Sequence, residues 1–264
     1  MPQTSLPSHD RAAPWQEVVT PGRFTGLKVV VTGAGSGIGL ATALRIVREG
    51  GRVVASDLDA GRLDALRAAQ PEVIVPVAGD ITDDAHLAAI IAACDGSLDG
   101  LVNNAGIIDG FTALGDTSDT LWARVMDVNL NAPFKLTREA LPMLQRSGAA
   151  SVVNVASEAG LRGSTCGTAY TTSKHALIGM SKSAAFFYPG VRVNVVAPGA
   201  VATNIVGTVA SEWAYARAQA VNTAIGPPQA QSDQVAASIT FLLSRDATNL
   251  TGAVLPSDGG WSVR

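Results

Sequence analysis

Apolar residues gather in short, β-branched runs, separated by longer stretches in which they recur every three or four positions. The runs KVVVT (28–32), RVVASD (52–57), VIVPV (73–77), LDGLVN (98–103), SVVNVA (151–156), VRVNVV (191–196) and AVLP (253–256) are nearly continuous in hydrophobicity. Strands covered on both faces read this way, whereas a strand with one wet face would alternate. Helical spacing occupies 38–49, 61–69, 83–93, 117–146, 168–187 and 231–243. Strand and helix alternating along the whole length predicts a single α/β domain, doubly wound around a central parallel sheet of about seven strands. The segment 200–230 has no clear period and is long for a connection, which marks about 200–226 as a candidate substrate lid. Residues 1–23 are polar and punctuated by proline, an extension expected to be disordered or packed on a neighbour, and the domain proper is expected over 24–264.

Composition narrows the function. With 264 residues, 47% of them hydrophobic, the chain can bury one large core. A net charge of -3 gives no electrostatic footprint for nucleic acid or an anionic membrane, so the expected partner is a small molecule. The N-terminus lacks the basic start and apolar run of a signal peptide, and no apolar stretch reaches the roughly 20 residues of a membrane span. Cys94 and Cys166 form no CxxC pair and His9, His86 and His175 lack ligand spacing, so a cytoplasmic protein without metal is expected.

Ligands of doubly wound sheets bind at the carboxyl ends of the strands. The first such end is TGAGSGIG (32–39), where glycines follow a strand and open a helix, so that backbone N–H groups can hold a pyrophosphate. The second ends in Asp57, where a carboxylate can accept hydrogen bonds from a ribose 2′-hydroxyl and repel a 2′-phosphate, while Asp59 better suits the start of the next helix. At the third, Asp80 could reach an adenine ring or cap the following helix. NNAG (103–106) follows the fourth, Ser157 the fifth, and APGAVAT, with Pro198, Gly199 and Thr203, the sixth. Tyr170 and Lys174 stand four apart on a predicted helix, on one face. A free phenol titrates near 10, and an ammonium beside it would bring that value toward neutrality. Asn129 is unfavourable inside a helix, which points to a kink or a water site.

In this order, TGAGSGIG, NNAG, Asn129 within DVNLN, Ser157 and YTTSK (170–174) resemble the motifs of the classical short-chain dehydrogenases/reductases over about residues 26–260. The resemblance implies a Rossmann-type fold and an oxidoreductase interconverting a secondary alcohol and a ketone. Tyr170 would be the general acid/base, Lys174 would lower its pKa and hold the nicotinamide ribose, Ser157 would hold the substrate oxygen, and Asn129 would position a relay water. Cofactor contacts are expected from Gly33, Ser36, Gly37, Ile38, Gly39, Asp57, Leu58, Asp80, Ile81, Asn104, Ala105, Gly106, Tyr170, Lys174, Pro198, Gly199, Val201 and Thr203. NAD(H) is expected over NADP(H), because of Asp57 and because Ser36 stands where many NADP-using relatives carry arginine. A homotetramer or homodimer through 117–146 and 168–187 is also implied, with the terminal WSVR near another interface. Ser157, Glu158, Leu161, Cys166, Tyr170, Ile205, Trp213 and Tyr215 are expected to face a partly hydrophobic substrate. Two alternatives are a 3-oxoacyl thioester reductase, acting on carrier-protein or CoA substrates, and a dinucleotide-binding regulator without catalysis.

Overall fold

Each hydrophobic run becomes a strand because its neighbouring side chains have two separate cores to enter. The computed structural model describes residues 15–205 and 208–264. Its main sheet comprises β1 (Lys28–Thr32), β2 (Arg52–Asp57), β3 (Ile74–Ala78), β4 (Gly100–Asn103), β5 (Ser151–Val155), β6 (Arg192–Pro198) and β9 (Val254–Ser257). The strands are parallel, in the order β3-β2-β1-β4-β5-β6-β9. Val29 and Val31 enter the core with α1 (Gly37–Arg48), α2 (Ala60–Ala69) and α8 (Ser232–Leu243). Val30, between them, enters the core with α3 (Asp84–Ala93) and α5 (Ala132–Leu144). A side-chain period of two thus makes an unbroken apolar run the natural sequence for a sheet covered on both sides.

The chain order reverses between β1 and β4, and that switch point opens a cleft at the carboxyl edge of the sheet. Buried amides join the strands behind it. The Asn103 amide donates to Asn154 Oδ1 at 2.7 Å and Thr137 Oγ1 at 3.0 Å, and the Asn154 amide donates to Ser181 Oγ at 2.8 Å. Ser181 lies on α6 (Thr168–Phe187), so one polar chain ties β4, β5, α5 and α6 together.

Two departures from the sequence pattern have physical causes. The continuous period over 117–146 divides into α4 (Asp119–Met126), a π-helical turn at Asp127–Asn131, and α5. Asn129 is fully buried at that turn and must satisfy its amide away from the helix, which a regular α-helix would hinder. Within the irregular segment lies α7 (Glu212–Ile225), whose described residues include none that is buried, so it carried no apolar stripe to read. Near its ends, β7 (Val201–Ala202) pairs with β8 (Ala230–Gln231).

The extension also differs from expectation where it is described. Glu17 pairs with Arg45 at 3.3 Å and with Arg48 at 2.6 Å, Thr20 N–H donates to the buried Glu49 at 3.1 Å, and Phe24 is buried. Residues 15–23 therefore pack on α1 of their own chain, while residues 1–14 of the expected extension and residues 206–207 of the expected lid lie outside the described residues. Among the described residues no helix is long and apolar enough to cross a membrane.

Replacing Asn154 by alanine would remove one of two partners from the Asn103 amide and the donor that Ser181 Oγ accepts, in a buried site. Urea unfolding of Asn154→Ala is expected to show a loss of about 1–3 kcal/mol with an unchanged denaturant slope.

Candidate active site

The glycine turn sets the floor of the cleft. Ser36 is the N-cap of α1 but makes no side-chain cap, so the first N–H groups of the helix are left for a ligand. A Cβ at Gly39 would overlap the carbonyl oxygen of Gly33, and one at Gly33 would stand 2.8 Å from the Asn104 amide. The turn therefore closes tightly only without side chains, and Asn104 Nδ2 fastens it by donating to Thr32 O at 2.9 Å. Asp57 fixes its outer side, one carboxylate oxygen accepting Gly35 N–H at 2.8 Å and the other Asp59 N–H at 3.0 Å. These donors and this anchored carboxylate fit a dinucleotide.

The cleft holds about 330 Å³ and brings Gly33, Ser36, Gly37, Ile38, Asp57, Leu58, Asp80, Ile81, Asn104, Ala105, Gly106, Pro198, Gly199, Val201 and Thr203 together with Ser157, Tyr170 and Lys174. Gly39 is not on its wall and acts in the turn behind it. Asp80 lines the cleft, but Asp83 caps α3, accepting Ala85 N–H at 2.9 Å. Asp80 instead accepts the backbone N–H and hydroxyl of Thr82, at 2.9 and 2.7 Å, which hold its carboxyl below the ordinary value, and it pairs with Arg124 at 3.2 Å. Arg124 and Arg62, absent from the sequence expectations, are also on the wall. Both sit on solvent-facing helix surfaces, where an arginine carries no distinguishing pattern.

At the inner end Ser157 and Tyr170 are half-buried and Lys174 lies beneath them, out of solvent. Lys174 is 3% exposed, donates to Val155 O at 3.0 Å, and holds its Nζ 5.5 Å from the Tyr170 ring centroid. Burial pulls its ammonium down to about 8. Gly106 leaves it room, since a Cβ there would stand 3.4 Å from Nζ. Burial drives the Tyr170 phenol well above its ordinary value, with Cys166 and Asp109 adding to the rise and the Ser157 hydroxyl opposing it. Burial of the phenol thus acts against the direction expected of Lys174.

Asn129 is not on the cleft wall. Its Oδ1 accepts Ile107 N–H at 2.9 Å, and its Nδ2 donates to Ile107 O at 2.9 Å and to Ser173 Oγ at 3.1 Å. Glu158 turns away from the cleft as well, buried and paired with Arg162, which also donates to the backbone oxygens of Trp261 and Arg264. The C-terminal WSVR is thereby held within its own chain, and Arg264 reaches on to Ile225 O, at the end of α7, at 3.2 Å.

Ile205 is on the cleft wall, whereas Trp213 and Cys166 face a second cavity of about 900 Å³ beneath α7, lined also by Phe111, Leu114 and Val221. Tyr215 packs edge-on against Phe111 with centroids 5.0 Å apart, and Leu161 is on neither wall. Burial pushes the Cys166 thiol up to about 12, so it is no nucleophile at neutral pH. Among the described residues no cluster of histidine, cysteine and carboxylate side chains forms a metal site.

The short chain dehydrogenase family model matches residues 27–213, and the chain belongs to that family of oxidoreductases. The short-chain dehydrogenase/reductase cdmF of Talaromyces verruculosus is 36% identical over 250 residues, covering 89% of this chain and 96% of its own. The asnovolin H dehydrogenase nvfC of Aspergillus novofumigatus is 34% identical with the same coverage. Among solved structures, levodione reductase superposes with a TM-score of 0.83 at 31% identity, covering 91% of this chain and 99% of that one. A protein of Beutenbergia cavernae described as an NAD(P)-dependent gluconate 5-dehydrogenase, with NADP bound at low occupancy, gives 0.80 at 32% identity, covering 93% and 100%.

The buried lysine makes stability depend on pH. Its folded-state value of about 8 lies below the ordinary 10.5, so between these values the unfolded chain binds the extra proton and wild-type stability contributed by this group rises with pH. Lys174→Met removes the effect. Its stability relative to wild type is expected to grow as pH falls from 10.5 and to level off below about 8, as read by urea unfolding across that range.

Proposed function

We propose that the protein interconverts a secondary alcohol and a ketone by hydride exchange with NAD(H), with Tyr170 giving the proton to the carbonyl oxygen or taking it from the hydroxyl. The observation that carries this reading is the presence of Ser157, Tyr170 and Lys174 on the same cleft wall as the glycine turn and Asp57. When bound, the dinucleotide supplies the hydride chemistry, and the remaining work falls to side chains. The Ser157 hydroxyl holds the substrate oxygen toward the phenol. Lys174, anchored on Val155 O, offers its other N–H bonds to the cofactor ribose and its charge to the phenolate that oxidation would require. With its Nδ2 hydrogens engaged by Ile107 and Ser173, Asn129 keeps one acceptor site on Oδ1 for a relay water, alongside the backbone groups that the π-helical turn frees.

Asp57 favours NAD. Its carboxylate is fixed by two N–H groups where a 2′-phosphate would need space and positive charge, and the nearby Arg62 is paired with Asp59 at 3.2 Å. The cavity beneath α7, with Phe111, Leu114, Trp213 and Val221 on its walls, supports a partly hydrophobic substrate and a lid role for the 200–226 segment. Exposed Trp122 and Phe134 on α4 and α5 support assembly as a homotetramer or homodimer. Two unbridged cysteines are consistent with a cytoplasmic location.

Tyr170→Phe is expected to abolish turnover across a panel of ketones and secondary alcohols while NADH affinity, read by fluorescence titration, stays close to wild type. Near-normal activity in this variant would refute the assignment. With the best substrate, kcat/KM for NADH is expected to exceed that for NADPH by at least about tenfold, equivalent to roughly 1.4 kcal/mol. Equal use of both would contradict the role given to Asp57.

A further inference from the structure

Asp109 has no part in the chemistry above, yet it is only 1% exposed and stands beside the candidate acid/base. It lies six residues beyond the end of β4, and its Oδ2 accepts the backbone N–H of Tyr170 at 2.9 Å. Its Oδ1 accepts Phe111 N–H at 3.2 Å and lies 3.6 Å from the Cys166 sulfur. Gly167, the N-cap of α6, has no side chain with which to cap the helix, and a Cβ there would overlap the Asp109 carboxylate. The glycine and the aspartate are therefore matched, one vacating the space that the other fills. Among the described residues no lysine, arginine or histidine pairs with Asp109.

We propose that Asp109 is a positioning residue for Tyr170: it caps the first turn of α6 in place of the side chain missing at Gly167, and its unpaired buried charge biases the neighbouring phenol toward the acid form. The inference rests on the reading of Tyr170 as the proton donor and acceptor. Ser157 and Lys174 stand by the phenol ring, while Asp109 holds the backbone N–H of Tyr170 with Cys166 against it, and all four bear on the phenol. Glu158, on the adjoining loop, is paired with Arg162, and Cys166 remains a neutral thiol. Asp109 is thus the carboxyl group beside Tyr170 that no cation pairs, and a second anion forming near an unpaired carboxylate is disfavoured. Lys174 acts in the opposite sense. The balance between them favours proton donation to a ketone at neutral pH and delays alcohol oxidation to more alkaline solution.

Asp109→Asn keeps an oxygen that can accept the Tyr170 N–H and removes the charge. Two readouts would be compared with wild type: the pH dependence of alcohol-oxidation kcat/KM, and tyrosine ring-carbon NMR with and without NAD, the Tyr170 signal being assigned with Tyr170→Phe. The alkaline limb of oxidation is expected to move down by about one pH unit. At the most alkaline pH where both proteins remain folded, the ionised fraction of Tyr170 is expected to rise at least about threefold, with NADH affinity unchanged. An unmoved limb and equal ionised fractions, including none in either protein, would overturn the proposal. If Asp109→Asn does not fold, Asp109→Ser retains a capping oxygen without charge and carries the same expectation. If neither folds, the carboxylate serves the fold alone and the proposal fails. Absence of any turnover by wild type would sink the proposed function separately, and the NMR comparison would still decide the effect of Asp109.

Discussion

Removal from water is the constraint on which the chemistry of this site depends. Lys174 and Asp109 lie where solvent cannot screen them, and the partly exposed Tyr170 beside them lines the cleft, so each buried group is governed by its few neighbours. A phenol in such a place resists ionisation, and an amine resists protonation. Both tendencies favour the neutral forms, and the attraction between ammonium and phenolate opposes them, with the Lys174 nitrogen 5.5 Å from the Tyr170 ring centroid. A cofactor and substrate entering this space would alter the balance more than any exposed side chain could, because their charges would also be unscreened.

The fold provides that dryness by bringing four segments to the carboxyl edge of the sheet. The end of β5 offers Val155 O to Lys174, the π-helical turn places Asn129 against Ile107 and Ser173, and Gly106 leaves space for the lysine. The nucleotide end is built differently. There, backbone N–H groups and a half-buried Asp57 face an open cleft, suited to a ligand that is charged and hydrated. One cleft thus runs from a polar end that can bind to a dry end where proton positions are controlled.

The strands and most of the helices were legible because burial on both faces imposes a continuous apolar run that few other structures require. Much of the cleft wall, though not Arg62 and Arg124, was legible for a related reason: glycine where side chains would overlap, and Asp57 at a strand end. What escaped the sequence depended on tertiary placement. No apolar stripe marks α7, because it packs few of its side chains into the core. Glu158 follows Ser157 directly but turns the other way, toward Arg162 and the C-terminus. Asp109 carries no motif, and its meaning appears only when Gly167 and the N–H of Tyr170 are brought to it. The four-residue spacing was enough to place Lys174 beside Tyr170, but the burial acting on the phenol cannot be read from it.

The most direct measurement is a crystal structure of the enzyme with NADH and a ketone identified by the turnover panel, in the Tyr170→Phe variant so that the complex does not react. The carbonyl oxygen should lie within about 3.2 Å of Ser157 Oγ, against the ring edge from which the phenol hydroxyl has been removed, with the carbonyl carbon facing the nicotinamide. A ketone seated with its oxygen away from both Ser157 and residue 170 would contradict the assignment of this site.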